Sequence, residues 1–408
     1  MDALTGLLDD AAALLDGAIA LRRDLHAHPE LGLELPRTQR AIVAALETLG
    51  LQISLGSALS SVTAILDTGR PGPTVLLRAD MDALPMDEDT ELDFKSTIAG
   101  TMHACGHDTH VAMLVQAAHL LVARKHELDG IVVFMFQPGE EGHGGAAIML
   151  EEGILEAAGA IDLAFAIHAT PSIPSGAIAT RGGTIMASSD EFVIDVIGRG
   201  GHASTPFQAL DPIPIACEIV LASQSMVTRS INAFDPAVVT VAEVKAGTTS
   251  NVIPETARLH GTIRAVSART RGQVHANLER VATGVAHAHG ATVEFNLRLG
   301  YPVTVNDATV ATWCRAIARD LLGARMSFEM PAPVMGAEDF SYVLEKVPGA
   351  LVFLGMCPTH LQPHEAPPNH SNRMLLEESA MANGIALYAG VALAKSAEAK
   401  MATLEPLE

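Results

Sequence analysis

The chain has 408 residues, 47 of them acidic and 26 basic, for a net charge of −21 with histidine neutral. That charge repels nucleic acid and anionic membrane surfaces, and a chain this long exceeds what one core fills, so two domains and a small-molecule substrate are expected. No apolar run approaches the ~18 residues of a membrane span, the start MDALTGLLDDAAALLDG lacks a signal peptide's basic region and unbroken apolar core, and Cys105, Cys217, Cys314 and Cys357 show no paired spacing, which predicts a cytoplasmic protein with reduced thiols.

In chain order, residues 8–27 and 38–49 carry helical periodicity, and SVTAILDT and TVLLRADM are short β-rich runs bounded by Gly and Pro. A helix over 109–124 follows the stretch MHACGHDTH. The strand IVVFMFQ, a helix near 144–152 and the strand DLAFAIHA come next. Almost wholly apolar strands alternating with helices predict an α/β fold over residues 1–186, a mixed, largely parallel sheet sandwiched by helices. From residue 187 the pattern changes. EFVIDVIG reads as a strand, 211–230 as a helix, AVVTVAEVKAG and ARLHGTIRA as two strands, 268–289 as a helix and TVEFNLRLG as a last strand. This β-α-β-β-α-β order over 187–303 predicts an inserted α+β domain of ferredoxin-like arrangement. The α/β character resumes over 304–408, with a helix near 307–323, the strand ALVFLGM and a closing helix over 374–396. Cys217 and Cys314 lie in apolar helical patterns and read as core residues.

MHACGHDTH places five metal-capable side chains, His103, Cys105, His107, Asp108 and His110, within nine positions. Cys105 and His107 are two apart, so in a helix they would face opposite ways; both reach one ion only from a loop or extended segment. Gly106 suits a turn there, and Asp108 or Thr109 is the expected cap of the following helix. The stretch thus reads as a strand-to-helix loop, the edge where α/β proteins bind ligands. A structural zinc site is the weaker reading, because such sites pair several cysteines. Taken alone, a capped helix with incidental histidines also fits.

Three further loops follow buried strands. In FMFQPGEEGHGG, Glu140 and Glu141 are adjacent and diverge, so one carboxylate can bind a metal while its neighbour takes a proton from water. His168 ends the apolar strand LAFAIHA. Asp80 and Asp82, two apart in an extended segment, face the same way and can orient ligands or touch the metal.

Together with RRDLHAHPELGLELPRT, GRGGHASTP, NVIPETARLHGTIR and MGAEDFSYV, these motifs resemble the metal-dependent amidohydrolases that include aminoacylases, hippurate hydrolase and the hydrolases of indole-acetic acid amino-acid conjugates, relatives of the cocatalytic-zinc carboxypeptidases. The resemblance covers nearly the whole chain and implies a zinc-exopeptidase-like catalytic domain with an inserted lid and dimerisation domain. It implies two divalent ions, zinc first, with manganese, cobalt or nickel as alternatives, on Cys105, His107, Glu141, His168 and a C-terminal histidine, Cys105 bridging. Among His360, His364 and His370 in HLQPHEAPPNHSNRM, His370 is chosen because Ser371 follows it and a closing helix begins just after, as in the family it resembles, with His364 as the rival.

The resemblance further implies Glu140 as general base, Asp82 as its supporting aspartate, and His202 as the group that polarises the scissile carbonyl. Asn251 and Arg264 would hold the substrate carboxylate; read alone they are a turn residue and a strand charge. The expected activity is hydrolysis of the amide bond of N-acyl amino acids or similar small conjugates by a metal-bound hydroxide, in a homodimer or dimer-based oligomer. The rival readings are a dipeptidase or carboxypeptidase of the same machinery, a Cys105 nucleophile with a histidine base, and a metal- or ligand-binding relative without activity.

Overall fold

The computed structural model describes residues 4–404, with side chains through residue 398; residues 1–3 of the start read above for a leader lie outside the described residues. The chain divides into two compact units, one of Met1–Ile185, Val305–Ala332 and Tyr342–Glu408, the other of Met186–Thr304 and Pro333–Ser341.

The first unit is built on a mixed eight-stranded sheet. Its order is Gln52–Leu55, Val62–Asp67, Ile131–Gln137, Thr74–Asp80, Leu163–Thr170, Gly349–Gly355, Ile178–Thr180, Ser327–Glu329. The four central strands, from Ile131–Gln137 to Gly349–Gly355, are mutually parallel. Thr74–Asp80, Leu163–Thr170 and Gly349–Gly355 are buried along their whole length, as strands covered on both faces must be. These strands were legible as continuous apolar runs. Gln52–Leu55 was not, because it is an exposed edge strand with no hydrophobic alternation.

The helix His107–Ala123, called the site helix below, is buried over nearly every residue and packs against Leu15–His26 and the closing helix Met381–Leu404. The closing helix begins seven residues later than its periodicity suggested, and the helical pattern over 8–27 breaks at Leu14 into two helices. Tyr388 of the closing helix is fully buried; its hydroxyl donates to the Arg78 carbonyl at 2.7 Å and accepts from Ile167 N–H at 3.2 Å. One phenol therefore ties this helix to two central strands.

The start of the site helix differs from expectation. It begins at His107, and the capping position is Gly106 at φ 87°, without a side-chain cap. Asp108 is unavailable for capping because its buried carboxylate accepts from Arg22 Nε at 3.0 Å and from His26 Nδ1 at 2.8 Å. His26 Nε2 lies 3.3 Å from Glu88, and Arg22 also reaches Glu378 at 2.8 Å. Burial lowers the pKa of His26, but Asp108 and Glu88 outweigh burial and push it up to about 9. The imidazolium holds the first turn of the site helix to Leu15–His26.

In the second unit, the strands Ala237–Ala246, Thr256–Ala265, Asp190–Ile197 and Thr292–Leu299 form an antiparallel sheet in that order. With the helices Pro212–Ser230 and Ala268–Ala288 they give the β-α-β-β-α-β sequence of a ferredoxin-like unit. Alternating burial along Asp190–Ile197 and Thr256–Ala265 shows one face packed under the helices. Cys217, expected in this core, is exposed on the outer side of its helix, whereas Cys314 is buried in the first unit. Pro333–Ser341 also belongs here, because Ala187 N–H donates to the Val334 and Gly336 carbonyls at 3.1 and 2.9 Å.

Tyr388→Phe is expected to destabilise the protein by about 1–3 kcal/mol, since two buried backbone groups lose a partner; urea unfolding reads this, and an unchanged midpoint would refute it. For His26 the raised pKa gives stability that is complete below pH about 6.5 and lost as pH rises through about 9. At about 1.4 kcal/mol per pKa unit this is about 3 kcal/mol. His26→Asn, which can still donate to Asp108 but does not titrate, should flatten the decline in unfolding free energy between those pH values; a variant with the full wild-type slope would show that another group is responsible.

Candidate metal centre and active site

The centre lies at the carboxyl ends of the parallel strands, all within the first unit. Asp82 follows the strand Thr74–Asp80 and is 1 % exposed. Its Oδ1 accepts Glu140 N–H at 3.0 Å and its Oδ2 accepts Glu141 N–H at 2.9 Å. Its backbone carbonyl accepts His107 Nδ1–H at 2.9 Å. A carbonyl can only accept, so His107 carries a proton on Nδ1 and turns Nε2 inward. That Nε2 is buried with no hydrogen-bond partner, and so is Glu141 Oε1.

Asp80 forms the layer behind. Arg78 Nη1 donates to its Oδ2 at 2.6 Å and His110 Nδ1 to its Oδ1. His110 Nε2 accepts Ala169 N–H at 2.7 Å, which fixes the tautomer that donates to Asp80. Burial alone would raise the Asp80 pKa, but Arg78, His107 and His110 hold it well below the usual carboxylate range.

His168, at the end of Leu163–Thr170, donates Nδ1–H to the Ala169 carbonyl at 2.8 Å and brings Nε2 to 3.5 Å from Cys105 Sγ. Burial, with His110 beside it, lowers its pKa to about 3, so it is a neutral imidazole with a free lone pair. Burial and then Glu141 push the Cys105 thiol up. On the other side, His370 Nε2 lies 3.3 Å from Glu141 Oε1, and its contacts with Cys105 and Glu141 raise its pKa to about 10. Burial lowers the His107 pKa, but Asp80 and Cys105 raise it well above the usual imidazole range. The two histidines attract a positive charge, proton or metal.

These donors form two triads, Cys105–His107–His168 and Cys105–Glu141–His370, whose ligand atoms lie within 4.8 Å of one another in each. Cys105 belongs to both. Glu140, 6 % exposed, joins His107 and Glu141 in a third group. A shared sulfur flanked by two imidazole and carboxylate sets, with orphaned Nε2 and Oε1 atoms between, fits two divalent cations bridged by a thiolate. Nitrogen, oxygen and sulfur together suit zinc and equally admit cobalt or nickel, with manganese at the harder end.

The structure thus brings together Cys105, His107, Glu140, Glu141, His168 and His370 around Asp82. Of the three C-terminal histidines, His370 is the one that joins a group of possible donors; His360 and His364 are exposed and join none. Of the other residues of MHACGHDTH, His110 supports from behind, Asp108 serves the fold, and His103 is buried with both ring nitrogens unpartnered and its pKa lowered to about 4 by burial. His370 has φ 68°, the one non-glycine left-handed residue among the described residues, a conformation costing about 1–2 kcal/mol. Asn369 beside it was missed by the sequence reading, which had no pattern to single out a lone amide in a Pro-rich loop.

In the second unit, Gly201–His202 pairs antiparallel with Val252–Ile253. Ser204 N–H donates to His202 Nδ1 at 3.1 Å, so the exposed ring presents Nε2–H as a donor. His202 and Asn251 line one open cavity of about 430 Å³, of which Arg264 is not a lining residue. Arg264 is half-buried on Thr256–Ala265; burial lowers its pKa while Asp190 and Glu191 oppose the shift.

The thermostable carboxypeptidase 1 of Saccharolobus solfataricus is 38% identical over 397 residues, 96% of this chain and 99% of that protein. The N-acetylcysteine deacetylase of Bacillus subtilis is 41% identical over 350 residues, 85% of this chain and 90% of that one. The crystal structure of the Bacillus subtilis YXEP protein, a dinuclear metal binding peptidase from the M20 family, superposes with a TM-score of 0.81 at 35% identity, covering 94% of this chain and 99% of that chain. The profile of peptidase family M20/M25/M40 matches residues 76–394, and the chain belongs to that family of metal-dependent hydrolases.

Proposed function

We propose that this hydrolase cleaves the amide bond of N-acyl amino acids or similar small amide conjugates, with Glu140 as general base. The observation that carries the reading is the Cys105 thiol shared by two donor triads, with Glu140 next to them and anchored through its own N–H to Asp82. Cys105, His107 and His168 would hold one divalent cation and Cys105, Glu141 and His370 the other, zinc being the first choice. When bound, such a pair lowers the pKa of a shared water toward ~7 and polarises the substrate carbonyl.

Glu140 is assigned to that water because its neighbour Glu141 is the carboxylate of the Cys105–His370 triad. It takes the proton as the carbonyl carbon is attacked and returns it to the leaving amine, so that no other acid is needed. We assign His202, through Nε2–H, to the carbonyl oxygen as charge develops there. Asn251 and Arg264 we assign to the carboxylate of the amino-acid half, where a guanidinium fork matches a planar anion. A reduced Cys105 fits a cytoplasmic protein, and a homodimer is the expected assembly. Similarity to a carboxypeptidase favours one second reading, a peptidase with the same residues in the same roles.

Release of free amino acid from a panel of N-acyl amino acids and dipeptides, with the protein metal-loaded or chelated, tests the proposal. Metal-dependent release from acyl amino acids, lost on chelation and restored by zinc, is expected. Preferential dipeptide cleavage would favour the peptidase reading, and thiol alkylation that inhibits the metal-loaded enzyme while chelation does not would favour a Cys105 nucleophile. Glu140→Gln should keep the metal content of the wild type while kcat falls ~10²-fold or more. Near-wild-type turnover in that variant would remove Glu140 from the mechanism.

A further inference from the structure

The amide nitrogen of Asn369 lies 3.1 Å from the Cys105 carbonyl, 3.1 Å from the Ala169 carbonyl and 3.9 Å from Cys105 Sγ. The Ala169 carbonyl is also the acceptor for His168 Nδ1–H, the bond that leaves His168 Nε2 aimed at the sulfur. The next residue, His370, donates its backbone N–H to the Ala104 carbonyl at 2.7 Å. One side chain is therefore in contact with the peptide group of Cys105, with the carbonyl that orients His168, and, through the chain, with His370. An amide NH₂ has two protons, and both carbonyls use them. That holds the loop against two separate segments at once, next to a residue kept in the left-handed region.

The two triads depend on this loop unequally. Cys105, His107 and His168 are buried and sit on the site helix, the turn before it and a central strand. His370 stands on the loop itself, with its side chain about half exposed.

We propose that Asn369 is a positioning residue: its amide clamps the loop to Cys105 and Ala169 so that His370 reaches the cation shared with Cys105 and Glu141. The inference rests on the two-cation reading of the site given above. Without the clamp, His370 is free to leave its left-handed conformation, and the second cation loses a ligand while the first keeps all three. Outer-layer partners of metal ligands typically matter 10–100-fold in affinity.

Metal-free full-length protein, wild type, Asn369→Leu and Asn369→Ser, is titrated with cobalt(II) against a chromophoric chelator. Absorption from thiolate-to-cobalt charge transfer follows Cys105. The wild type is expected to take two cobalt ions. Each variant should bind the first ion with wild-type affinity and thiolate absorption, and the second about 10–100-fold more weakly, with the melting temperature of the metal-free protein unchanged. Asn369→Ser carries the test should the leucine variant not fold. Variants that bind both ions as the wild type does would overturn the role of Asn369 and leave the two-cation centre intact. Equal loss of both ions with a lowered metal-free melting temperature would assign Asn369 to the fold instead. A wild type that binds fewer than two ions would overturn the two-cation reading and this inference with it.

Discussion

The centre depends on one residue that is not itself a metal donor in either triad. Asp82 accepts three hydrogen bonds from three site residues: two backbone N–H groups on its carboxylate and one imidazole N–H on its carbonyl. The carboxylate fixes where Glu140 and Glu141 leave the chain, and both side chains bring an oxygen into one group with His107. The carbonyl fixes which nitrogen of His107 is free. Hydrogen bonds to a buried charge are individually worth about 1.5–3 kcal/mol, which is enough to make the strand end, the Gly-rich loop and the site helix move as one.

Behind Asp82, two further buried carboxylates are each neutralised from outside the centre. Asp80 is held by Arg78 and His110, and Asp108 by Arg22 and His26. Each has its own cationic partner, while the unpartnered Nε2 of His107 and Oε1 of Glu141 belong to the two triads. The arrangement separates charges that stabilise the fold from charges that attract a cation.

The α/β class, the inserted ferredoxin-like unit and most of the central strands were legible because buried parallel strands are continuous apolar runs and one-sided sheets alternate. The donor residues were legible for a different reason: thiol, imidazole and carboxylate groups recur where apolar strands end. What could not be read were features set by distant partners. Asp108 looks like a helix cap until Arg22 and His26, more than eighty positions earlier, occupy its carboxylate. His370 could be preferred to His364 only by its following serine and the closing helix after it, since its contact with Glu141 joins residues more than two hundred positions apart. Cys217 lies in an apolar pattern, yet its own helix turns it outward.

The sheet order also sets the sequence in which the protein can be completed during synthesis. Gly349–Gly355 lies between Leu163–Thr170 and Ile178–Thr180, so those two strands wait side by side for a neighbour that is translated only after the whole of Met186–Thr304. The inserted unit can therefore finish its core on the ribosome while the larger sheet still has an unfilled slot and two unpaired strand edges, the kind of exposed template that invites wrong pairing. His370 emerges later still. The full set of candidate donor side chains is thus present only after the strand that fills that slot has been made.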